Sequence, residues 1–143
     1  MSVFKETVGY NLLKLCKGYF NLINARMNRL NLYEGQDHLL RQLWEEDGLP
    51  QAELTRRLGV EAASVSKAIE RIEKSGFVFR QPDPDDARAN RVYLTEAGRA
   101  LEQPVKEAWL EIEAQVLADM TAEERLLLRR LLLQMRANLT TAE

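Results

Sequence analysis

The sequence predicts a mainly α-helical fold that carries one small β-hairpin. Three observations lead there. Apolar residues recur at helical spacing through most of the 143 residues, the period changes to short strand-like runs only within 77–94, and glycines stand where the helical patterns stop. Apolar residues make up 45% of the chain and charged residues 29%, which allows a real core beneath a well-solvated surface. No apolar run approaches the roughly 20 residues that span a bilayer. The opening MSVFKETVGY lacks the basic-then-apolar layout of a secretion signal. The lone cysteine, Cys16, rules out an intrachain disulfide framework. A cytoplasmic protein with no membrane contact is expected.

Element by element, Val8, Leu12, Leu15, Tyr19, Leu22 or Ile23, Arg26 or Met27, and Leu30 mark a long first helix with one apolar stripe. Leu39, Leu40, Leu43 and Trp44 mark a shorter second helix, with Gly48 as its left-handed stop. Ala52, Leu54 and Leu58 give a third, opened by Pro50 and closed by Gly59. Val65, Ile69 and Ile72 give a fourth, ended by Gly76. Phe77-Val78-Phe79-Arg80 and Arg91-Val92-Tyr93-Leu94 read as strands. Gln81 to Asn90, with two prolines and three aspartates, reads as the loop between them. Thr95 caps a long fifth helix reaching about Asp119, which Pro104 should kink or whose start it should shift. Thr121-Ala122-Glu123-Glu124 is a capping box opening a sixth helix. That helix carries Leu126, Leu127, Leu128, Leu131, Leu132, Leu133, Met135 and Leu139 around much of its circumference. A core this small cannot cover it, so a second copy of the chain is the economical partner.

Charge is unevenly placed. The net charge is −2, yet Gln51 to Arg80 holds six bases against four acids, +2, whereas Leu101 onward holds five against eight, −3. The basic stretch is a helix, a glycine turn and a helix, the helix-turn-helix layout. Leu54, Leu58, Val60, Val65, Ile69 and Ile72 would lock its helices together, leaving Ala63, Ser64, Ser66, Lys67, Glu70 and Arg71 outward. Small residues at a helix start let it sit deep in a major groove. Ser64 and Ser66 suit phosphate or base edges, Lys67 and Arg71 suit guanine or phosphate, and Arg56 on the preceding helix joins this cationic set. Free amides at the helix start add an anion site. Arg88 and Arg91, at the hairpin loop, suit a narrow minor groove. Asp86, two residues before Arg88, is placed to brace the wing by pairing with the Arg88 guanidinium.

Four stretches resemble the MarR (multiple antibiotic resistance regulator) family. They are Leu54-Thr55-Arg56-Arg57-Leu58-Gly59-Val60, the run from Val65 to Val78, Asp83-Pro84-Asp85-Asp86-Ala87-Arg88, and Leu94-Thr95-Glu96-Ala97-Gly98. The helix-turn-helix is common to many regulators. Asp86-x-Arg88 followed by Leu-Thr-x-x-Gly is more specific. The resemblance covers nearly the whole chain. It implies one domain over 1–143, with a winged helix-turn-helix at 33–100 and a helical dimerisation region at 1–32 and 101–143. It further implies a homodimer on double-stranded DNA, with the helix from about Glu61 to Ser75 in the major groove and Arg88 in the minor groove. Half-sites of a pseudo-palindromic operator would lie about 34 Å apart. Family members mostly repress, and many release DNA on binding a small phenolic or anionic effector. Against the family pattern, two helix-cap positions that commonly hold Thr or Ser are Tyr33 and Pro50 here. A peroxide-sensing branch places its cysteine about two turns before Cys16, where Gly9 stands, so Cys16 reads as a buried small apolar residue.

Tyr19, His38, Arg41 and Trp44 are candidates for lining an effector pocket, and Trp109 for an inter-helix or dimer contact. One histidine and no cysteine or carboxylate cluster at ligand spacing leave no metal site, and nothing implies a cofactor. No catalytic constellation points to an enzyme. The competing reading is a winged-helix module that binds protein or RNA without operator specificity.

Overall fold

The computed structural model describes residues 2–33 and 35–141. Two compact units divide the chain, 1–109 and 110–143.

The first unit opens with a 3-10 turn, Val3–Glu6, and the helix α1, Val8–Asn28, whose first turn is capped by Thr7 Oγ1 accepting from the Tyr10 amide. α2 spans Gln36–Glu45, and Gly35, not Tyr33, stands at its cap with φ +77°. The Gln36 side chain reaches back to accept from the Tyr33 amide. α2 ends at Glu45, three residues before Gly48. Gly48 is therefore not its terminator. It has φ +71°, and a Cβ there would lie 2.6 Å from the ring of Tyr93, so the site requires glycine for two reasons. The sequence hid a short strand here: β1, Leu49–Pro50, too brief to show a period.

α3, Gln51–Leu58, and α4, Ala62–Lys74, meet through the turn at Gly59, φ +64°. Leu54, Val65, Ile69 and Ile72 are buried. Val60, expected to lock the pair, is 51% exposed, because the glycine turn carries it outward before α4 begins. The hairpin strands are β2, Val78–Pro82, and β3, Asn90–Leu94, each one residue longer than the run that suggested it, with β2 starting after Phe77. They leave a tip of 83–89. β3 lies between β1 and β2, antiparallel to both, with Val78 opposite Leu94 and Leu49 opposite Val92. Val78, Val92 and Leu94 face the core with Leu39, Leu40 and Leu43.

The predicted fifth helix is two helices, α5, Glu96–Ala100, and α6, Glu102–Val116. Pro104 has no amide to give the carbonyl of Ala100, and its ring crowds that carbonyl, so the ladder breaks at Leu101. Thr95 caps α5, its Oγ1 accepting from the Gly98 amide at 3.1 Å. Gly98 packs so close to the hairpin root that a Cβ would lie 2.0 Å from the carbonyl oxygen of Phe77. Trp109 links helices within this unit: it sits 6.4 Å from Tyr19 of α1, and its Nε1 donates to Asp37 of α2.

The second unit contains the end of α6, a turn, and α7, Ala122–Thr141. The capping box is reciprocal: Glu124 accepts from the Thr121 amide at 2.9 Å, and Thr121 Oγ1 accepts from the Glu124 amide at 3.1 Å. Within α7, Leu126, Leu127, Leu131, Leu132, Leu133 and Leu139 are exposed, Leu126 and Leu139 by more than 70%.

Two stability measurements follow. Gly98→Ala forces a methyl into a backbone carbonyl, so it should lower unfolding free energy by roughly 3 kcal/mol or more in urea titration. A loss below about 0.5 kcal/mol would mean the α5 contact yields freely. Glu73 of α4 holds Arg80 of β2, and that guanidinium keeps the Glu73 carboxyl below its usual range. A depressed carboxylate stabilises the fold above its unfolded pKa and ceases to do so as pH falls through its folded value. Glu73→Gln should therefore cost a few tenths to about 1 kcal/mol at neutral pH, and the gap from the parent should close in acid. A gap independent of pH would assign the cost to packing.

Candidate nucleic-acid interface

α4 presents its first turns to solvent. Glu61, Ala62, Ala63 and Ser64 are exposed, as are Lys67, Glu70 and Arg71 farther along; Ser66 is half-buried. Helical spacing fixes this arrangement: Val65, Ile69 and Ile72 occupy one face, so the intervening small and charged residues fall on the other. Glu61, at the cap position, makes no side-chain capping bond. The small residues leave the backbone of the first turn open to solvent, with Lys67 and Arg71 farther along the exposed face.

The cations of α3 are used differently. Glu53 receives Arg56 and Arg57, and Arg57 also reaches Glu46 at 2.6 Å. The hydrogen bonds from Arg56 and Arg57 pull the Glu53 carboxyl down to about 2. Arg56 remains 72% exposed. Its guanidinium keeps an open side toward solvent while Glu53 steadies it.

The wing tip is built by its aspartates. Asp83 Oδ1 accepts from the Asp85 amide at 2.9 Å, and Asp86 Oδ1 accepts from the Arg88 amide at 3.0 Å. Asp86 thus braces the turn through the backbone of Arg88, not through its guanidinium, because an Asx turn directs the carboxylate inward to the amide two residues on. Arg88 itself is exposed. The guanidinium held by a wing aspartate belongs to Arg91. Its Nε donates to Asp83 Oδ2 and its Nη1 to the Gly48 carbonyl, both at 2.9 Å. Arg91 is therefore engaged inside the protein at the base of the tip. On the opposite face of the sheet, Arg80 donates to Glu73 of α4 through its backbone amide and through Nη2. The sequence could have indicated both pairs by alternation along the strands, but not their partners, which lie outside the hairpin or across its tip.

Among the pocket candidates, Tyr19 and Arg41 meet Trp109, and His38 meets Arg41. The Arg41 guanidinium stacks 4.9 Å from the Trp109 ring, meets Asp37 at 3.6 Å and contacts the His38 ring. Asp37, which sequence reasoning missed, is 2% exposed and takes the Trp109 indole as well. Only its place on the same helix face, four residues before Arg41, could have pointed to it. Trp44 does not join them; its indole donates to the Gly98 carbonyl at 2.9 Å. Beside this cluster lies a groove of about 700 Å³, whose walls include His38, Arg41, Arg57, Val60 and Ser64. Cys16 is half-buried on α1. Among the described residues no group of three or more potential metal ligands occurs, and no helix is long and apolar enough to cross a membrane.

Comparison with known proteins matches this geometry. The MarR family model matches residues 32–89. An uncharacterised HTH-type transcriptional regulator of Bacillus subtilis (strain 168), YdgJ, is 32% identical over 105 residues, or 73% of this chain; the chain spans 64% of the length of that relative. The crystal structure of a MarR transcriptional regulator from Methanosarcina mazei Go1 is 27% identical, with TM-score 0.79 over 94% of this chain and 97% of that one. A probable transcriptional regulator from Pseudomonas aeruginosa is 33% identical, with TM-score 0.79 over 92% and 98%. With the family model over 32–89 and a matching fold over nine tenths of a solved MarR regulator, the chain belongs to the MarR family of transcriptional regulators.

Proposed function

We propose that this protein is a homodimeric, sequence-specific DNA-binding repressor of a pseudo-palindromic operator, and that a small phenolic or anionic effector releases it. The observation that carries the DNA reading is the exposed, small-residue start of α4 with Lys67 and Arg71 beyond it, paired with an exposed Arg88 on a braced wing tip. Ala63, Ser64, Ser66, Lys67 and Arg71 would enter the major groove. Arg56 would hold phosphate, and Arg88 would enter the minor groove. The role is one of binding, not catalysis.

Dimerisation through 1–32 and 101–143 is supported by apolar surface. The leucines of α7 are exposed, and so are Phe4, Val8, Leu13, Leu15 and Phe20 at the start of the chain. Scattered exposed leucines are ordinary, but this density marks a contact surface. An effector site is supported by Arg41, whose Nε is buried and makes no hydrogen bond among the described residues. The same side chain lines a groove that reaches Val60 and Ser64 beside the start of α4, where a bound anion would meet its guanidinium.

Three measurements test this reading. Duplexes selected from random DNA should converge on an inverted repeat, and affinity for that duplex should fall steeply with salt as phosphate contacts release counterions. No enrichment over random DNA would instead favour a winged module without operator specificity. Lys67→Ala or Arg71→Ala should each cost about 1–3 kcal/mol on the selected duplex if the residue reads a base, and equally on all duplexes if it holds phosphate. The pair Leu127→Glu and Leu131→Glu, introduced together, should convert a dimer to a monomer in sedimentation; an unshifted dimer would place the interface elsewhere.

A further inference from the structure

The wing tip has few ties to the rest of the protein. Within 83–89 its bonds are internal: Asp83 N to the Ala89 carbonyl, Asp86 N to the Asp83 carbonyl, Ala89 N to the Asp86 carbonyl, and the two aspartate turns. Among the described residues, the hydrogen bonds leading outward from the tip run through one side chain. Arg91 joins Asp83, at the base of the tip, to the carbonyl of Gly48, between α2 and β1. Gly48 is itself fixed, by its positive φ and by the Tyr93 ring packed against it. The Asp83 side chain is 10% exposed and Arg91 34% exposed, so the bridge is shielded on one side. The Asp85 amide and the Arg91 charge both hold the Asp83 carboxyl below its usual range.

From this geometry we infer that Arg91 is a positioning residue: a strut between the α2–β1 turn and the wing tip that sets where Arg88 meets DNA, without contacting DNA itself. A planar guanidinium suits this task, since its fork satisfies a carboxylate and a carbonyl at once in a fixed plane. The inference rests on the reading of Arg88 as a wing contact for its consequence in binding, but the strut can be tested without DNA.

In the protein free of DNA, Arg91→Ala should speed hydrogen exchange at the amides of Asp86, Arg88 and Ala89 several-fold, with the melting temperature little changed. Unaltered exchange would overturn the strut, whatever the protein does on DNA. The binding arm uses the duplex selected by the parent protein and turns on a sign. Asp83→Ala removes a negative charge, so if Arg91 touched DNA, freeing it should tighten binding or leave it alone. A strut predicts the reverse, a loss of about tenfold, the size of one side-chain contact. In an Arg88→Ala background, Asp83→Ala and Arg91→Ala should add no further loss and leave the salt slope unchanged. A drop of about one in that slope on losing Arg91 would make it a phosphate contact and sink the inference. If Arg88→Ala alone binds as the parent does, the wing reading fails, and the exchange measurement still decides the strut. Should Arg91→Ala unfold, Asp83→Asn carries both arms, since its amide oxygen can still accept from the Asp85 amide while its NH2 cannot accept from Arg91.

Discussion

The carboxylate of Asp47 carries the constraint on which the winged unit depends. By the register of β1 and β3, Asp47 stands opposite Leu94, two residues before β1 begins. There it accepts the Leu94 amide at 2.8 Å and the Gly48 amide at 2.9 Å, and takes the Arg99 guanidinium of α5 at 2.8 Å. A strand amide at that point would otherwise lose its partner where the neighbouring strand stops. One ionised acceptor thus finishes the sheet edge, fixes the turn after α2 and ties down α5. Bonds to a charged acceptor are stronger than neutral ones, so this joint is firmer than the two-residue strand it extends.

The wing is held from both sides of its sheet. Alternation along β2 and β3 sends Arg80 toward α4 and Arg91 away from it, and each finds a carboxylate on its own side. The root of the hairpin is closed by Thr95, whose hydroxyl donates to the Gly76 carbonyl and whose amide donates to the Phe77 carbonyl. The proposed reading of DNA by a helix and a loop together needs this stiffness. Two contacts on different grooves cooperate only if their separation is fixed before binding, since ordering them afterwards costs entropy.

The second unit poses a different problem. Its α7 has a strong local start signal and a run of leucines, so the helix is specified by its own sequence. What its leucines touch is not specified there. They are left facing solvent in one copy of the chain. Hydrophobic burial is non-directional, so the pattern demands a cover without describing its shape.

By itself the sequence determined what is local and periodic. The long helices, the glycine turn between α3 and α4, the hairpin, the caps at Thr95 and Thr121 and the break near Pro104 all follow from spacing, φ preference or a missing amide. So does the outward set on α4, since Val65, Ile69 and Ile72 leave only one other face. Tertiary structure decided what joins residues far apart in the chain. β1 is too short to carry a period. Asp37 and Asp47 look like ordinary polar helix and turn residues until Trp109 and Leu94 arrive 72 and 47 residues later. Asp83 and Asp86 are alike in the sequence, yet one takes a guanidinium and the other a backbone amide, because only Asp83 lies on the same sheet face as Arg91. Hydrogen bonds select partners by position in space, and spacing along the chain reports that position only within a helix turn or a hairpin.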